Sequence, residues 1–315
     1  MTTETIRRII KDYKFPIPLI PEHYGYFFDL YESFLGTNTV KKQLETEILK
    51  SGLSEEEYLE KLYSVQNEII DKITSSSIYS DFNDEKNPLF VGKDALYSQK
   101  TCTFNFTRKT DVYQPDNVGK KFISVDLEKA NFQICKKYSP DLVLGSQSYE
   151  DLIKKFIDSD YMVGSKYIRQ IIFGNLAPKR QNSMEQYYTG KILTFLIQKN
   201  HFKEKDIRVY TSDELVFNAE EFLTEDKQKE IYDDIYHEFS LKTHIESYSV
   251  NDVFKNLYAK EFSDGKVVFK GVPNLYYAQV YKKYFGGTID KRDLMFIHEN
   301  NVAYFEKSLA ELETK

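Results

Sequence analysis

Two acidic residues in the middle of the sequence lie where metal-assisted chemistry is feasible. Asp213 and Glu214 stand between two short runs of β-branched and aromatic residues, at 207–210 and 215–217. This pattern predicts a strand, a tight turn and a second strand, with both carboxylates at the tip of a hairpin. Such carboxylates can ligate Mg²⁺, which prefers oxygen ligands. Taken alone, the pair is explained more simply as an ordinary polar turn.

A third carboxylate has a similar setting earlier in the chain. Residues 122–125 read as a short apolar strand, Asp126 ends it, and a helical pattern follows over 127–138. Asp126 and Asp213 would meet if their strands were neighbours in one sheet. Two divalent ions bridged by shared carboxylates are a common solution for in-line phosphoryl or nucleotidyl transfer.

Three segments together resemble the motifs of a known enzyme family. Residues 210–219, Tyr-Thr-Ser-Asp-Glu-Leu-Val-Phe-Asn-Ala, resemble motif C of family A DNA polymerases, His-Asp-Glu-Leu-Val-Phe-Glu, with Ser212 in place of the His. Residues 125–132, Val-Asp-Leu-Glu-Lys-Ala-Asn-Phe, resemble motif A of polymerase palms, including those of reverse transcriptases. Residues 165–174, Ser-Lys-Tyr-Ile-Arg-Gln-Ile-Ile-Phe-Gly, are similar to motif B of family A, a fingers helix with a basic residue four positions before Phe-Gly.

The resemblance implies an α+β fold with a polymerase-like palm, in which helices back an antiparallel sheet. The order A, B, C is that of the family, but Phe173 and Asp213 are only 40 positions apart, so the fingers would be small and closer to reverse transcriptases in spacing. The implied division is an N-terminal helical, thumb-like region at 1–85 and a palm at 86–315. The palm would contain a short fingers insertion at about 140–200 and end in a hairpin and helices.

The resemblance also implies roles for individual residues. Asp126 and Asp213 would bind two Mg²⁺ ions and carry catalysis, with Glu214 assisting. Nucleotide binding falls to four residues: Lys166 and Arg169 on the triphosphate, Phe173 on the base, and Asn131 under the sugar.

The motif B helix allows a second interpretation. Lys166, Arg169 and Phe173 share one helical face at i, i+3 and i+7. Two cations and a ring suit a triphosphate and a stacked base. An amphipathic helix whose basic side chains extend their stems over apolar surface gives the same pattern.

A further hairpin is predicted over residues 257–272, with an Asp264-Gly265 turn. Its residues Tyr258, Lys260 and Lys270 resemble a primer-strand-binding stretch that follows motif C in family B polymerases. An ordinary hairpin explains them as well.

Composition limits the functional classes. The 315 residues are 41% hydrophobic and 29% charged, which suits a sizeable core. The formal net charge of −6 argues against a purely electrostatic nucleic-acid binder, although the distribution of charge decides. Two cysteines, Cys102 and Cys135, indicate a reducing compartment. Without a long apolar run or a signal core, we expect a cytoplasmic protein with no membrane partner.

The remaining pattern is mainly helical. Residues 15–21 carry spaced prolines and should be extended. Ser54 and Glu57 fit a capping box at the start of a helix. A basic loop, with Arg108, Lys109, Lys120 and Lys121, is either solvated surface or a phosphate contact. The other predicted elements are helices at 22–35, 39–50, 54–75, 148–159, 163–173, 224–239, 276–284 and 290–311, a further helix ending at 198, and strands at 101–107 and 244–250.

Three functions remain open from the sequence. The first is a template-dependent nucleotidyltransferase of the DNA polymerase type, with primer-template, nucleoside triphosphates and replication proteins as partners. The second is a catalytically inactive palm that binds nucleic acid or assists replication, which the Ser at position 212 and the small fingers favour. The third is an interaction scaffold. Whether the template and product are DNA or RNA is undetermined at this level.

Overall fold

The computed structural model describes residues 1–99, 101–102, 104, 111–254, 256–299, 301–306 and 308. Within this part, the chain forms twelve α-helices and eight β-strands in an α+β arrangement. The helices are α1 Thr3–Tyr13, α2 Tyr24–Leu35, α3 Thr37–Ser51, α4 Glu55–Thr74, α5 Ser77–Asn83, α6 Ala130–Tyr138, α7 Tyr149–Lys154, α8 Asp160–Gly164, α9 Lys166–Gly174, α10 Pro178–Gln198, α11 Glu225–Phe239 and α12 Tyr277–Tyr284. The strands are β1 Lys121–Leu127, β2 Ile207–Tyr210, β3 Glu214–Ala219, β4 Thr243–Phe254, β5 Leu257–Phe262, β6 Val267–Lys270, β7 Met295–His298 and β8 Asn301–Tyr304.

Six strands form one antiparallel sheet in the order β2-β3-β1-β4-β5-β6. Strand β1, in which Asp126 is the next-to-last residue, is therefore an inner strand between β3 and β4. The predicted hairpin around Asp213 is confirmed as β2 and β3, and the predicted helix and strand that follow it are confirmed as α11 and β4. The Asp264-Gly265 hairpin is confirmed as β5 and β6, with Gly265 at φ +80°.

The two faces of this sheet differ in character, because side chains alternate along each strand. One face is apolar and packs against α10 and α11 in a core that includes Val125, Phe217, Leu193 and Ile235. Residues directly opposite each other on antiparallel strands share a face. By this register, the other face carries Asp126, Glu214, His244 and Glu246, and Lys260 contacts Glu246 there.

A second core joins the N-terminal helices to the helices between β1 and β2. Its buried members come from α1 to α4 and from α6 to α10, among them Phe27, Leu44, Ile69, Phe132 and Phe173. The predicted extended segment is confirmed as non-helical over 15–20, where it buries Phe15, Ile17 and Ile20, and Pro21 begins a short 3₁₀ helix. Both cysteines are buried and unpaired, as small apolar side chains.

Several helix boundaries differ from the sequence-based prediction. The helix expected from residue 127 begins at Ala130, because β1 continues to Leu127 and Lys129 takes a left-handed conformation. The helix expected over 148–159 ends at Lys154. The helix expected over 163–173 is split at Ser165, whose hydroxyl accepts a hydrogen bond from the Ile168 amide and caps α9.

The predicted C-terminal helix over 290–311 is wrong within the described residues. A short 3₁₀ helix is followed by the two-stranded β7–β8 hairpin. The runs 295–298 and 301–304 are rich in β-branched and aromatic residues, which suits strands better than a helix. The Phe296 and Phe305 rings stack with centroids 4.5 Å apart.

The predicted strand at 101–107 lies mostly outside the described residues, as do Arg108 and Lys109. Lys120 precedes β1, and Lys121 begins it. In the described part of the chain, no helix has both the length and the apolar character needed to cross a lipid bilayer.

The capping box of α4 provides a test of the helical region. The Ser54 hydroxyl accepts from the Glu57 amide and the Glu57 carboxylate accepts from the Ser54 amide, at 3.3 and 2.8 Å. We expect Ser54→Ala to lower the free energy of unfolding by about 1 kcal/mol in urea titrations. Ser64 is exposed on the same helix, so Ser64→Ala is the control and should change stability by less than about 0.5 kcal/mol. Equal losses in both variants would show that the cap is not the cause.

Candidate active site

The pairing of β1 with β3 brings the two predicted acidic segments together. Asp126 lies opposite Glu214 in the register, and the Leu127 amide donates to the carbonyl of Asp213 at 2.9 Å. Asp126 and Asp213 therefore lie on directly hydrogen-bonded neighbouring segments of one antiparallel sheet. This confirms the expected adjacency of the two strand ends.

The β2–β3 turn that carries Asp213 is held by hydroxyl groups. Thr211 Oγ1 and Ser212 Oγ donate to the Asp213 Oδ1 atom at 3.2 and 3.3 Å. Thr189, on α10, donates from its hydroxyl to the Ser212 carbonyl at 2.7 Å. The turn is therefore fixed both locally and by α10, and among the described residues Asp213 Oδ2 has no hydrogen-bond partner.

Glu214 is engaged differently from the two aspartates. The Ser124 hydroxyl, on β1, donates to Glu214 Oε1 at 2.6 Å. This cross-strand bond directs the carboxylate along the same sheet face as Asp126. Glu214 is therefore a neighbouring negative charge with one oxygen occupied.

Burial and neighbouring negative charges raise the pKa values of two carboxyl groups at this site, Asp126 and Glu185. Burial raises the pKa of Asp126 to about 7, and the charges of Asp213, Glu214 and Glu246 add to the rise. The pKa of Glu185, on α10, is also raised to about 7, by burial and then by Asp213 and Asp126. These carboxyl groups repel one another in a partly dry environment, so a cation placed among them would be strongly favoured.

The donor set fits Mg²⁺. Carboxylate oxygens are its usual protein ligands, and the ion commonly uses one or two carboxylates while it keeps several waters. Asp126 and Asp213 provide two such groups on adjoining backbone segments. Among the described residues, no three His, Cys, Asp or Glu side chains stand close enough together to hold an ion between them.

The basic side chains of this region differ in their distance from the acidic cluster, and Lys166 is the one whose charge acts on Asp126. The exposed Lys166 is close enough to lower the pKa of Asp126 through its charge. Arg169 is half-buried, stands 5.8 Å from the ring centroid of Tyr149, and has a pKa lowered by burial. Lys129 forms an ion pair with Glu150. Both Lys166 and Arg169 belong to the first turn of α9, which begins at Lys166.

Two other residues with predicted nucleotide roles have clear placements. Phe173 is fully buried and packs edge-on against Phe132 at 5.6 Å, so its ring has no exposed face for a base. Phe173 was predicted to lie on the same ligand-facing side of the helix as Lys166 and Arg169. This prediction is wrong, because the Phe173 ring points into the helical core. Asn131 donates from Nδ2 to Gln181 Oε1 at 2.8 Å.

The residues predicted to bind a primer strand are mostly enclosed. Tyr258 and Lys260 are 4% and 6% exposed. The Lys260 ammonium pairs with Glu246 and lies 4.1 Å from the ring centroid of Tyr248. Lys270 is partly open, with its ammonium 5.8 Å from the Tyr113 ring centroid. Because they are buried, Tyr258 and Lys260 are poorly placed to contact a primer strand. Lys270 is the most accessible of the three residues.

Sequence reasoning missed two polar residues of α10, Glu185 and Gln181. Both are buried, and Gln181 donates to the Phe173 carbonyl at 2.7 Å as well as accepting from Asn131. A signal was present, because Gln181, Glu185 and Thr189 recur every four residues beside Met184, Ile192 and Leu196 on the buried side of one helix.

No family model, curated protein or solved structure matches this chain.

The raised pKa of Asp126 predicts a pH-dependent stability. The folded protein retains a proton that the unfolded chain, with a carboxyl pKa near 3.8, has lost. Stability must therefore fall as the pH rises from about 4 to about 7. Without divalent cations, we expect Asp126→Asn to raise the Tm at pH 8 and to have little effect at pH 4.

The control is Asp252→Asn, an exposed carboxylate on β4 of the same sheet. It should stay within about 0.5 kcal/mol of the parent at both pH values. A Tm for Asp126→Asn at or below that of the parent at pH 8 would contradict the crowding of charge at this site.

Proposed function

We propose that the protein is a template-dependent nucleotidyltransferase with a polymerase-type palm, and that it transfers a nucleotide to the 3′-hydroxyl of a primer. The observation that carries the proposal is the placement of Asp126 and Asp213 on adjoining segments of β1 and the β2–β3 turn. The motif-like segments around both residues, in the order expected for such enzymes, add support.

The roles of the chain's own residues follow from this geometry. Asp126 and Asp213 would hold two Mg²⁺ ions, and Glu214 would add negative charge beside them. Such ions activate a hydroxyl nucleophile and stabilise the pyrophosphate leaving group. The rigid sheet fixes the separation of the two aspartates, so that the primer hydroxyl and the α-phosphate are held in line.

In this proposal Lys166 and Arg169 would meet the triphosphate. They lie on the first turn of α9, and cations at a helix N-terminus favour bound phosphate. The exposed Lys166 can move toward a ligand, whereas Arg169 is braced by Tyr149. Phe173 is left out of this role, since it supports α9 from within the core.

The second candidate is a catalytically inactive palm that binds nucleic acid. It is favoured by the Ser at position 212, the enclosed Tyr258 and Lys260, and the lack of a three-carboxylate cluster in the described part of the chain. Primer extension with deoxyribo- and ribonucleoside triphosphates separates the two. Binding to a primer-template without extension in Mg²⁺ or Mn²⁺ would support the inactive palm.

We expect Asp213→Asn to abolish nucleotide incorporation while the protein stays folded. The change removes a negative metal ligand but buries or exposes little apolar surface. Asp264→Asn is the matched control, since Asp264 also lies in a hairpin turn of the same sheet, and this variant should extend a primer at the parental rate. Primer extension and circular dichroism are the measurements. Incorporation by Asp213→Asn at the parental rate would remove Asp213 from catalysis.

Asn131 should determine sugar selectivity. Its short amide is held by Gln181 through Nδ2, and within the described part of the chain its carbonyl oxygen has no partner and could accept a hydrogen bond from a ribose 2′-hydroxyl, so the parent should discriminate weakly between ribo- and deoxyribonucleotides. Asn131→Tyr should suppress ribonucleotide use by a steric clash and largely spare deoxyribonucleotide use. The measurement is the ratio of kcat/KM for a deoxyribonucleotide and its matching ribonucleotide.

Tyrosine at the exposed Asn182 of α10 is the control for that ratio, and thermal melting confirms that both variants fold. A parent that already rejects ribonucleotides by more than about a thousandfold, ~4 kcal/mol in transition-state binding, would show that selectivity lies elsewhere.

A further inference from the structure

One stripe of α10 touches both acidic segments of the candidate site. Gln181, Glu185 and Thr189 are spaced four residues apart, and all three are buried. Gln181 accepts from Asn131 at the start of α6, and Thr189 donates to the Ser212 carbonyl in the β2–β3 turn. Residues at i, i+4 and i+8 lie on one helical face. Glu185 therefore projects between the segment that follows Asp126 and the turn that carries Asp213.

The burial of Glu185 has no obvious structural compensation. The residue is 8% exposed. No hydrogen bond or ion pair is recorded for its carboxyl group among the described residues, whereas its two neighbours on the stripe are both bonded. Its carboxyl oxygens keep some contact with solvent, and the charges of Asp213 and Asp126 act on them.

We propose that Glu185 is the third carboxylate of a divalent-cation centre formed with Asp126 and Asp213, and that it binds the cation through the cation's own water molecules. The inference rests on the proposed function in that it needs the two aspartates to bind a cation. Binding through water agrees with the absence of three mutually close ligands in the described residues. Mg²⁺ keeps several waters when one or two carboxylates bind it, and these waters need acceptors.

This role would explain why a charge is placed in the core. A carboxylate that accepts hydrogen bonds from metal-bound water orients that water and adds negative charge without a direct bond to the ion. Groups that act at this distance from a metal typically change its affinity 10- to 100-fold. Glu185 approaches from the part of α10 that lies between the bond of Gln181 to Asn131 and the bond of Thr189 to the β2–β3 turn, so the cation centre would join β1, this turn and α10.

The test measures cation binding and stability rather than activity. Mn²⁺ is titrated by calorimetry or electron paramagnetic resonance into the full-length parent, Glu185→Gln, Glu185→Asp and Asp264→Asn, and each protein is melted with and without the ion. We expect Glu185→Gln to weaken Mn²⁺ binding about 10- to 100-fold. At pH 8, where Glu185 is ionised, the same variant should raise the Tm without metal by ~2 °C or more, because it removes a negative charge that Asp126 and Asp213 repel. Glu185→Asp should bind with intermediate affinity, and Asp264→Asn should match the parent.

The opposite signs of the two effects distinguish the proposal from a structural role. If Glu185 only supported the fold, Glu185→Gln would lower the Tm without metal and leave the Mn²⁺ affinity unchanged; either result overturns the inference. If Glu185→Gln fails to fold, parental affinity in the folded Glu185→Asp variant overturns it equally. A parent that binds no Mn²⁺ would instead refute the proposed function itself, so the two failures are separable.

Discussion

The antiparallel pairing of β1 with β3 is the constraint on which the site depends. Its main-chain hydrogen bonds bring Asp126 beside the Asp213–Glu214 turn, although the carboxylates repel one another. Backbone bonds in the inner strands of a sheet, backed by an apolar core, can hold like charges at close range. The Phe202 and Phe217 rings stack 3.9 Å apart beneath β3 and are part of that backing. The apolar packing on the opposite face of the sheet thus offsets the repulsion between these carboxylates.

Charge changes sign along the polar face of this sheet. Negative groups gather at Asp126 and the β2–β3 turn, and Glu246 marks the boundary with Lys260. Beyond it, Lys260 is enclosed by aromatic rings and Lys270 has its pKa lowered by burial, then by the charge of Lys260. This half of the face is built as a packed ionic and aromatic layer. An open basic groove would have left these ammonium groups in water.

The N-terminal helices support the helix that carries the cations. The Ser165 hydroxyl, at the cap of α9, donates to the Asp12 carbonyl at 2.7 Å. Tyr13 donates from its hydroxyl to the Tyr161 carbonyl at 2.9 Å, and Glu47 accepts from the Tyr161 amide at the same distance. The position of Lys166 and Arg169 is therefore set from outside their own segment. If α9 moved toward a ligand, these contacts would break or the N-terminal helices would move with it.

Individual elements show which parts of the structure were predictable from sequence. The β2–β3 hairpin, the α4 capping box and the Asp-Gly hairpin were predicted correctly, since each depends on residues close together in the chain. The C-terminal hairpin was missed, because short aromatic and β-branched runs fit a helix or a strand until their partner is known. The sequence also did not predict that the helix expected over 163–173 is divided at Ser165. That serine is hydrogen-bonded to Asp12, which is distant in sequence.

The same distinction applies to the candidate site. The sequence alone determined Asp126, Asp213 and Glu214 as candidate acidic residues, because strand ends and turns are local signals. Only the tertiary structure decided that Phe173 is buried, that Tyr258 and Lys260 are enclosed, and that Glu185 is buried where the charges of Asp213 and Asp126 raise its pKa. The direction of a side chain on a helix or strand depends on what packs against each face. That packing comes from segments distant in the chain, so residue types and spacing leave it open.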